Sequence, residues 1–208
     1  MARVEQHILD ELVNDCSNQQ YDIVVSKWIV ERTPVLFGGN QEEYRRIKSI
    51  IAQKLDVNMC SVVFVGSGCT GFSLNPDKNF KTFDDSSDID IAIISHHHFS
   101  LAWRWLRHQD SGLLKGDAKK ALWHHRAHFI FDGTIATDKI LLYLPFGKEW
   151  NRALNEISQE SVFANKEVHF RLYQDHQALI DYHVGSVKKN LPKMLGVESK
   201  NEVLIPQE

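Results

Sequence analysis

The chain has 208 residues, 43% of them hydrophobic and 25% charged, with a formal net charge of −3 at pH 7. That suffices for one domain with a full core. The balanced charge argues against a globally basic nucleic-acid binder and leaves room only for a local basic surface. Cys16, Cys60 and Cys69 are scattered, with no Cys-x-x-Cys pair, so neither a disulfide framework nor a cysteine-built zinc site is indicated.

The N-terminal stretch is charged and amphipathic, without the continuous apolar centre of a secretory signal, and no apolar run approaches a membrane span. With free thiols, this places the protein in a reducing cytoplasm, away from membranes. Residues 4–15 carry Val4, Ile8, Leu9, Leu12 and Val13 at helical spacing. Tyr21–Arg32 predicts a second helix, ended by Thr33-Pro34 and a Gly38-Gly39-Asn40 loop. Asn40 with Glu43 reads as a capping box for a third helix over Gln41–Leu55. Arg45, Arg46 and Lys48 then form a solvated helix face.

The stretch 62–95 is the centre of the sequence. Val62–Val65 is a β-branched apolar run and predicts a strand. A glycine-rich turn follows, Gly66-Ser67-Gly68-Cys69-Thr70-Gly71. After a polar loop, Ser87-Asp88-Ile89-Asp90-Ile91 runs into Ala92-Ile93-Ile94 as a second strand. Its period of two turns Ile89, Ile91 and Ile93 to one face and Asp88 and Asp90 to the other. Paired carboxylates at the start of an apolar strand repel each other, and burial makes that worse. A divalent cation relieves the repulsion, and hard carboxylate oxygens suit Mg²⁺, which also binds phosphate oxygens and water.

Ser95-His96-His97-His98 marks the strand's exit and the start of a helix rather than a metal site, because neighbours in an extended chain point apart. Helices are predicted over Phe99–His108 and Lys115–His128. Arg104, Arg107, Lys115, Lys119, Lys120 and Arg126 make this the most basic region. A solvated face accounts for it better than a phosphate-binding patch. Phe129–Leu144 reads as strand and then helix, with Asp132 in the strand and Thr137 as N-cap before Asp138. Trp150–Ile157 reads as a helix. Val168–Tyr173 alternates as a strand, with His169 and Arg171 on its polar face, and Asp175–Val187 closes the fold as a helix. The organisation expected is a helical segment over residues 1–59, a core over 60–195 and a polar tail over 196–208.

Strand, Gly66-Ser67, loop, then Ser87-Asp88-Ile89-Asp90-Ile91 resembles the signature of the DNA polymerase beta-like nucleotidyltransferase superfamily. The resemblance spans residues 62–95; Ser67 and Asp88 lie further apart than is usual there, through a polar insertion over Phe72–Phe83. It implies an α/β (α+β) fold, a mixed sheet flanked by helices. It implies Mg²⁺, with Mn²⁺ as the alternative, held by Asp88 and Asp90 as the catalytic pair. Two such ions about 3.5–4 Å apart would serve the attacking and leaving oxygens. A nucleoside triphosphate would be bound around Gly66, Ser67, Gly68 and Ser87; Arg171, on the polar face of its strand, is expected either on the triphosphate or in an ion pair with a surface carboxylate.

The superfamily usually adds a third carboxylate; Asp132, Asp138 and Glu167 are the candidates. At this length the chain resembles stand-alone members, which modify an RNA end, a protein side chain or a small molecule, some of them in toxin-antitoxin or phage-defence systems. The rival reading is a catalytically degenerate regulator that binds a nucleotide or a partner. A zinc enzyme using His96–His98, His124, His125 or His128 is the most distant.

Overall fold

The structure is a computed structural model that describes residues 4–74, 78–108, 116–125, 129–138 and 140–194. Its centre is a four-stranded mixed sheet of β1 (Val62–Val65), β2 (Ile89–Ile94), β3 (Thr134–Ala136) and β4 (Val168–Tyr173), in the order β1-β2-β4-β3. β1 runs antiparallel to β2, β2 parallel to β4, and β3 antiparallel to β4. The register sets Val65 against Asp90, and Asp90 against His169.

Alternation along the central strands supplies two cores. Phe64, Ile89, Ile91, Ile93, Val168, Phe170 and Leu172 face one side. There they meet α3 (Gln41–Leu55), α5 (His96–His108), α6 (Gly116–His124) and α7 (Gly147–Ile157). Val63, Val65, Ala92, Ile94 and Tyr173 face the other side, against α1 (Gln6–Asn18), α2 (Tyr21–Val25) and α8 (His176–Met194). The expected mixed sheet between helices is therefore present. Among the described residues, no helix is long and apolar enough to cross a membrane.

Several local expectations are corrected. The second helix does not run intact to Arg32; after Val25 it widens into a π-helical turn over Ser26–Val30. The glycine-rich segment is a short helix, α4 (Gly66–Thr70), closed by Gly71 at φ +91°. Asp132 lies in a turn before β3. Thr137 is no side-chain cap: its hydroxyl donates to the Phe170 carbonyl at 2.7 Å, tying the end of β3 to β4, and only a single 3₁₀ turn, Leu141–Tyr143, follows. The closing helix begins at His176 and continues through Pro192 to Met194. Asn75–Asp77 of the insertion, Lys115, Arg126, His128 and the polar tail lie outside the described residues.

The capping box is half realised. Asn40 accepts the Glu43 N–H at 3.1 Å, but the Glu43 carboxylate is taken by Arg46 at 2.8 Å instead of turning back. His98 is buried, with Nδ1 2.9 Å from the Ser95 hydroxyl and its ring against Phe146 and Trp150. His125 is buried with both ring nitrogens on backbone carbonyls, of Ala121 and Ala136. Both are core histidines with ring nitrogens already engaged within the fold, which removes them from a zinc reading.

Candidate active site

β2 and β4 are parallel, so both begin at the same edge of the sheet, and β1 ends there. That edge gathers the polar residues. β2 starts at Ile89, whose N–H donates to the Glu167 carbonyl at 2.8 Å. Asp88 therefore sits one residue before the strand, next to Glu167, and Asp90 is the first polar residue within it. Both line the same two cavities, so the carboxylates share one face as their spacing predicts.

The contact between Gly66 and Asp90 fixes this geometry. Gly66 has φ +64°, a conformation L side chains rarely adopt. A Cβ built on it would stand 2.6 Å from Asp90 Oδ2. Only glycine lets the chain turn into α4 this close to the carboxylate. Ser67, the next residue, lines the first cavity with Asp88 and Asp90. Gly68 points elsewhere: it is buried, and a Cβ there would meet Ile89 and Phe83 at 3.5–3.6 Å. Its place is in packing α4 onto the sheet rather than in the cleft.

The first cavity, about 430 Å³, also has Ser73, Lys78, Lys81 and Ser87 on its wall. Lys81 pairs with Asp84 at 2.9 Å and donates to Ser86 at 2.6 Å. The Ser87 hydroxyl accepts the Asp84 N–H at 3.0 Å and donates to its carboxylate at 3.2 Å. Hydrogen bonds from Lys81 and Ser86 outweigh burial and hold the Asp84 carboxyl well below the usual range. Lys166 donates to the Asp84 carbonyl at 2.8 Å, fastening this loop to the start of β4. Ser87 thus shapes the rim as well as facing the cleft.

The second cavity, about 350 Å³, shares Asp88 and Asp90 with the first and is otherwise lined by Gly66, Asp138, His169, Arg171, Tyr173, Tyr182 and His183 among others. Of the candidate third carboxylates, Asp138 lines it, with its Oδ1 4.0 Å from His169 Nδ1. Glu167 Oε2 is 3.5 Å from His169 Nε2. Ligand atoms of Asp88, Glu167 and His169 lie within 4.8 Å of one another, close enough to hold one metal ion. Asp132 lines a different cavity, between the turn before β3 and α8. His169 was visible in the sequence only as a polar-face residue; its pairing with Asp90 comes from the parallel register.

Asp90 reaches solvent, yet the walls of the cleft crowd it. That desolvation raises its pKa above the ordinary aspartate value; His169, Arg171 and Lys78 oppose the shift and Asp88 adds to it. A carboxylate crowded by protein and a second acid is one that a cation would stabilise. Comparison with family models, with curated proteins and with solved structures gave no match.

Proposed function

We propose that this chain is a divalent-metal-dependent nucleotidyltransferase, moving a nucleoside monophosphate from a nucleoside triphosphate to an acceptor hydroxyl. One observation carries the reading. Asp90 leaves no room for a side chain on Gly66 at the β1–α4 junction, and Asp88 and Asp90 line two cavities at once. A transfer centre needs this arrangement, with donor and acceptor meeting at one charged point.

The donor set fits a hard divalent cation: Asp88 and Asp90, with Glu167 and His169 beside them. Carboxylates suit Mg²⁺ and Mn²⁺ alike. When bound, such an ion neutralises phosphate charge and lowers the barrier to attack on phosphorus. The protein's own residues do the rest. Ser67 and Lys78 line the cavity assigned to the triphosphate, offering a hydroxyl and a cation to its oxygens. The acceptor oxygen attacks the α-phosphorus from the other cavity, a new P–O bond forms, and the bond to the β-phosphate breaks, releasing pyrophosphate. The hydroxyl proton passes to a carboxylate on the acceptor side, a place Asp138 occupies.

A second reading, a nucleotide-binding regulator without transfer, draws on one feature. The residue paired with Asp90 on β4 is His169, not a carboxylate. Calorimetry tests the shared part. Triphosphate binding should require Mg²⁺ or Mn²⁺ and be lost when Asp88→Ala is combined with Asp90→Ala. Unchanged metal-dependent affinity in that variant would refute both readings.

A further inference from the structure

The second cavity has an inner wall that its carboxylate rim does not explain. Among the described residues, four buried side-chain polar atoms have no hydrogen-bond partner, and three of them belong to residues lining this one cavity: Arg171 Nη1, Tyr173 OH and His183 Nε2. Tyr173 is completely buried and His183 is 8% exposed. Each unpaired buried group is a cost to the folded state. Native proteins keep such groups few, so three on residues that line one cavity mark a place where something polar belongs.

The neighbours hold this wall in place. The Arg171 guanidinium lies 4.9 Å over the Tyr182 ring and 5.6 Å over Phe129, so its orientation is set by stacking. Tyr173 packs edge-on against Tyr182 and tilted against His183. Residues from β4 and α8 thus converge on one point.

The chemistry of the wall selects the guest. Arg171 is a permanent cation with donors only, and the Tyr173 hydroxyl is a donor. Burial, helped by Arg171, lowers the His183 pKa to about 4, so its ring is neutral near pH 7 and contributes a hydrogen bond without charge. A cation and a hydroxyl donor suit an oxyanion. The same cavity is lined by Asp88, Asp90 and Asp138, which repel an anion and attract a hydroxyl or amine, with Asp90 close enough for Arg171 to offset its charge. A volume of about 350 Å³ is that of a small-molecule pocket.

We propose that the cavity lined by Arg171, Tyr173 and His183 is an oxyanion site for a small organic acceptor, which seats a carboxylate or phosphate against these three residues and turns a hydroxyl toward Asp90. The acceptor role rests on the transferase reading; the oxyanion site does not. It also moves Arg171 from the triphosphate, one of the two places expected from the sequence, to the acceptor.

The test titrates metal-free protein with inorganic phosphate and, separately, with acetate, followed by calorimetry. Wild type should bind at least one of them. Arg171→Met should weaken that binding by roughly tenfold or more, the loss of a charged hydrogen bond. Tyr173→Phe should weaken it too while remaining folded, since it deletes only an unpartnered hydroxyl. Asp88→Asn with Asp90→Asn should keep or tighten anion binding, because it removes repelling charge. If that pattern holds but no nucleotide is ever transferred, the oxyanion site stands and the transferase reading falls. If wild type binds neither anion, or both wall variants bind like wild type, the cavity holds only water and the proposal is wrong. Transfer confined to RNA or protein acceptors would overturn the small-molecule assignment.

Discussion

At the residue scale, the site depends on an absence, the missing side chain of Gly66. Its positive φ and its approach to Asp90 Oδ2 both exclude a Cβ. Gly66→Ala should destabilise the protein by about 1–2 kcal/mol from the backbone conformation alone, and Asp90→Ala in the same chain should relieve only the remainder. Denaturant unfolding of the single and double variants measures both parts; a neutral Gly66→Ala would contradict the contact. Asp90 yields a prediction of opposite sign. Its folded pKa is raised, so its contribution to stability is complete below the ordinary aspartate pKa of 3.8 and is lost as pH rises through the raised value. Asp90→Asn should therefore melt higher than wild type at neutral pH without metal, with the advantage vanishing below pH 3.8. Gly66, Asp88 and Asp90 were legible in the sequence because strand alternation and a glycine turn are local signals. Tyr173 and His183 were not, because being buried without a partner is a property of three-dimensional packing.

At the element scale, most boundaries followed from apolar spacing and end signals. Gln41–Leu55 is helical over the predicted span because Asn40 caps it and Asp56 closes it at φ +53°. The misreadings lie where tertiary contacts override local preference. Thr137 is a plausible cap by type, yet its hydroxyl is used by β4. The π turn after α2 lies where Trp28 meets α1. Buried Asp15 accepts from Trp28 Nε1 at 2.7 Å and from Lys27 at 2.7 Å. Burial alone would raise the Asp15 pKa, but these two hydrogen bonds and the Lys27 charge outweigh it and lower it. Its stabilising contribution is then present above pH 3.8 and is lost as pH falls through the lowered folded value. Asp15→Ala should cost about 1–3 kcal/mol at neutral pH, leaving Trp28 Nε1 without its acceptor, and the difference from wild type should shrink in acid. Melts from pH 7 to pH 2 check this; a constant difference would show that the carboxylate charge is irrelevant.

At the scale of the whole molecule, a mixed sheet between two helical layers brings residues from β1, the loop before β2, β4 and α8 to one edge. Strand pairing is what joins Asp90 to His169, and no local pattern announces a parallel partner so far along the chain. That is why the carboxylate pair was readable early and the acceptor-side wall was not. The most direct test of the account is pyrophosphate release and label transfer, with each nucleoside triphosphate and Mg²⁺ or Mn²⁺, by wild type and Asp90→Asn side by side, with melting curves as the folding control. Asparagine keeps the shape and one oxygen but not the charge that holds the cation, so the loss falls on the rate rather than the fold. The account predicts transfer by wild type and a fall of about 10²–10³-fold in Asp90→Asn; equal rates in the two proteins, or no transfer by folded wild type to any acceptor carrying both an oxyanion and a hydroxyl, would contradict it.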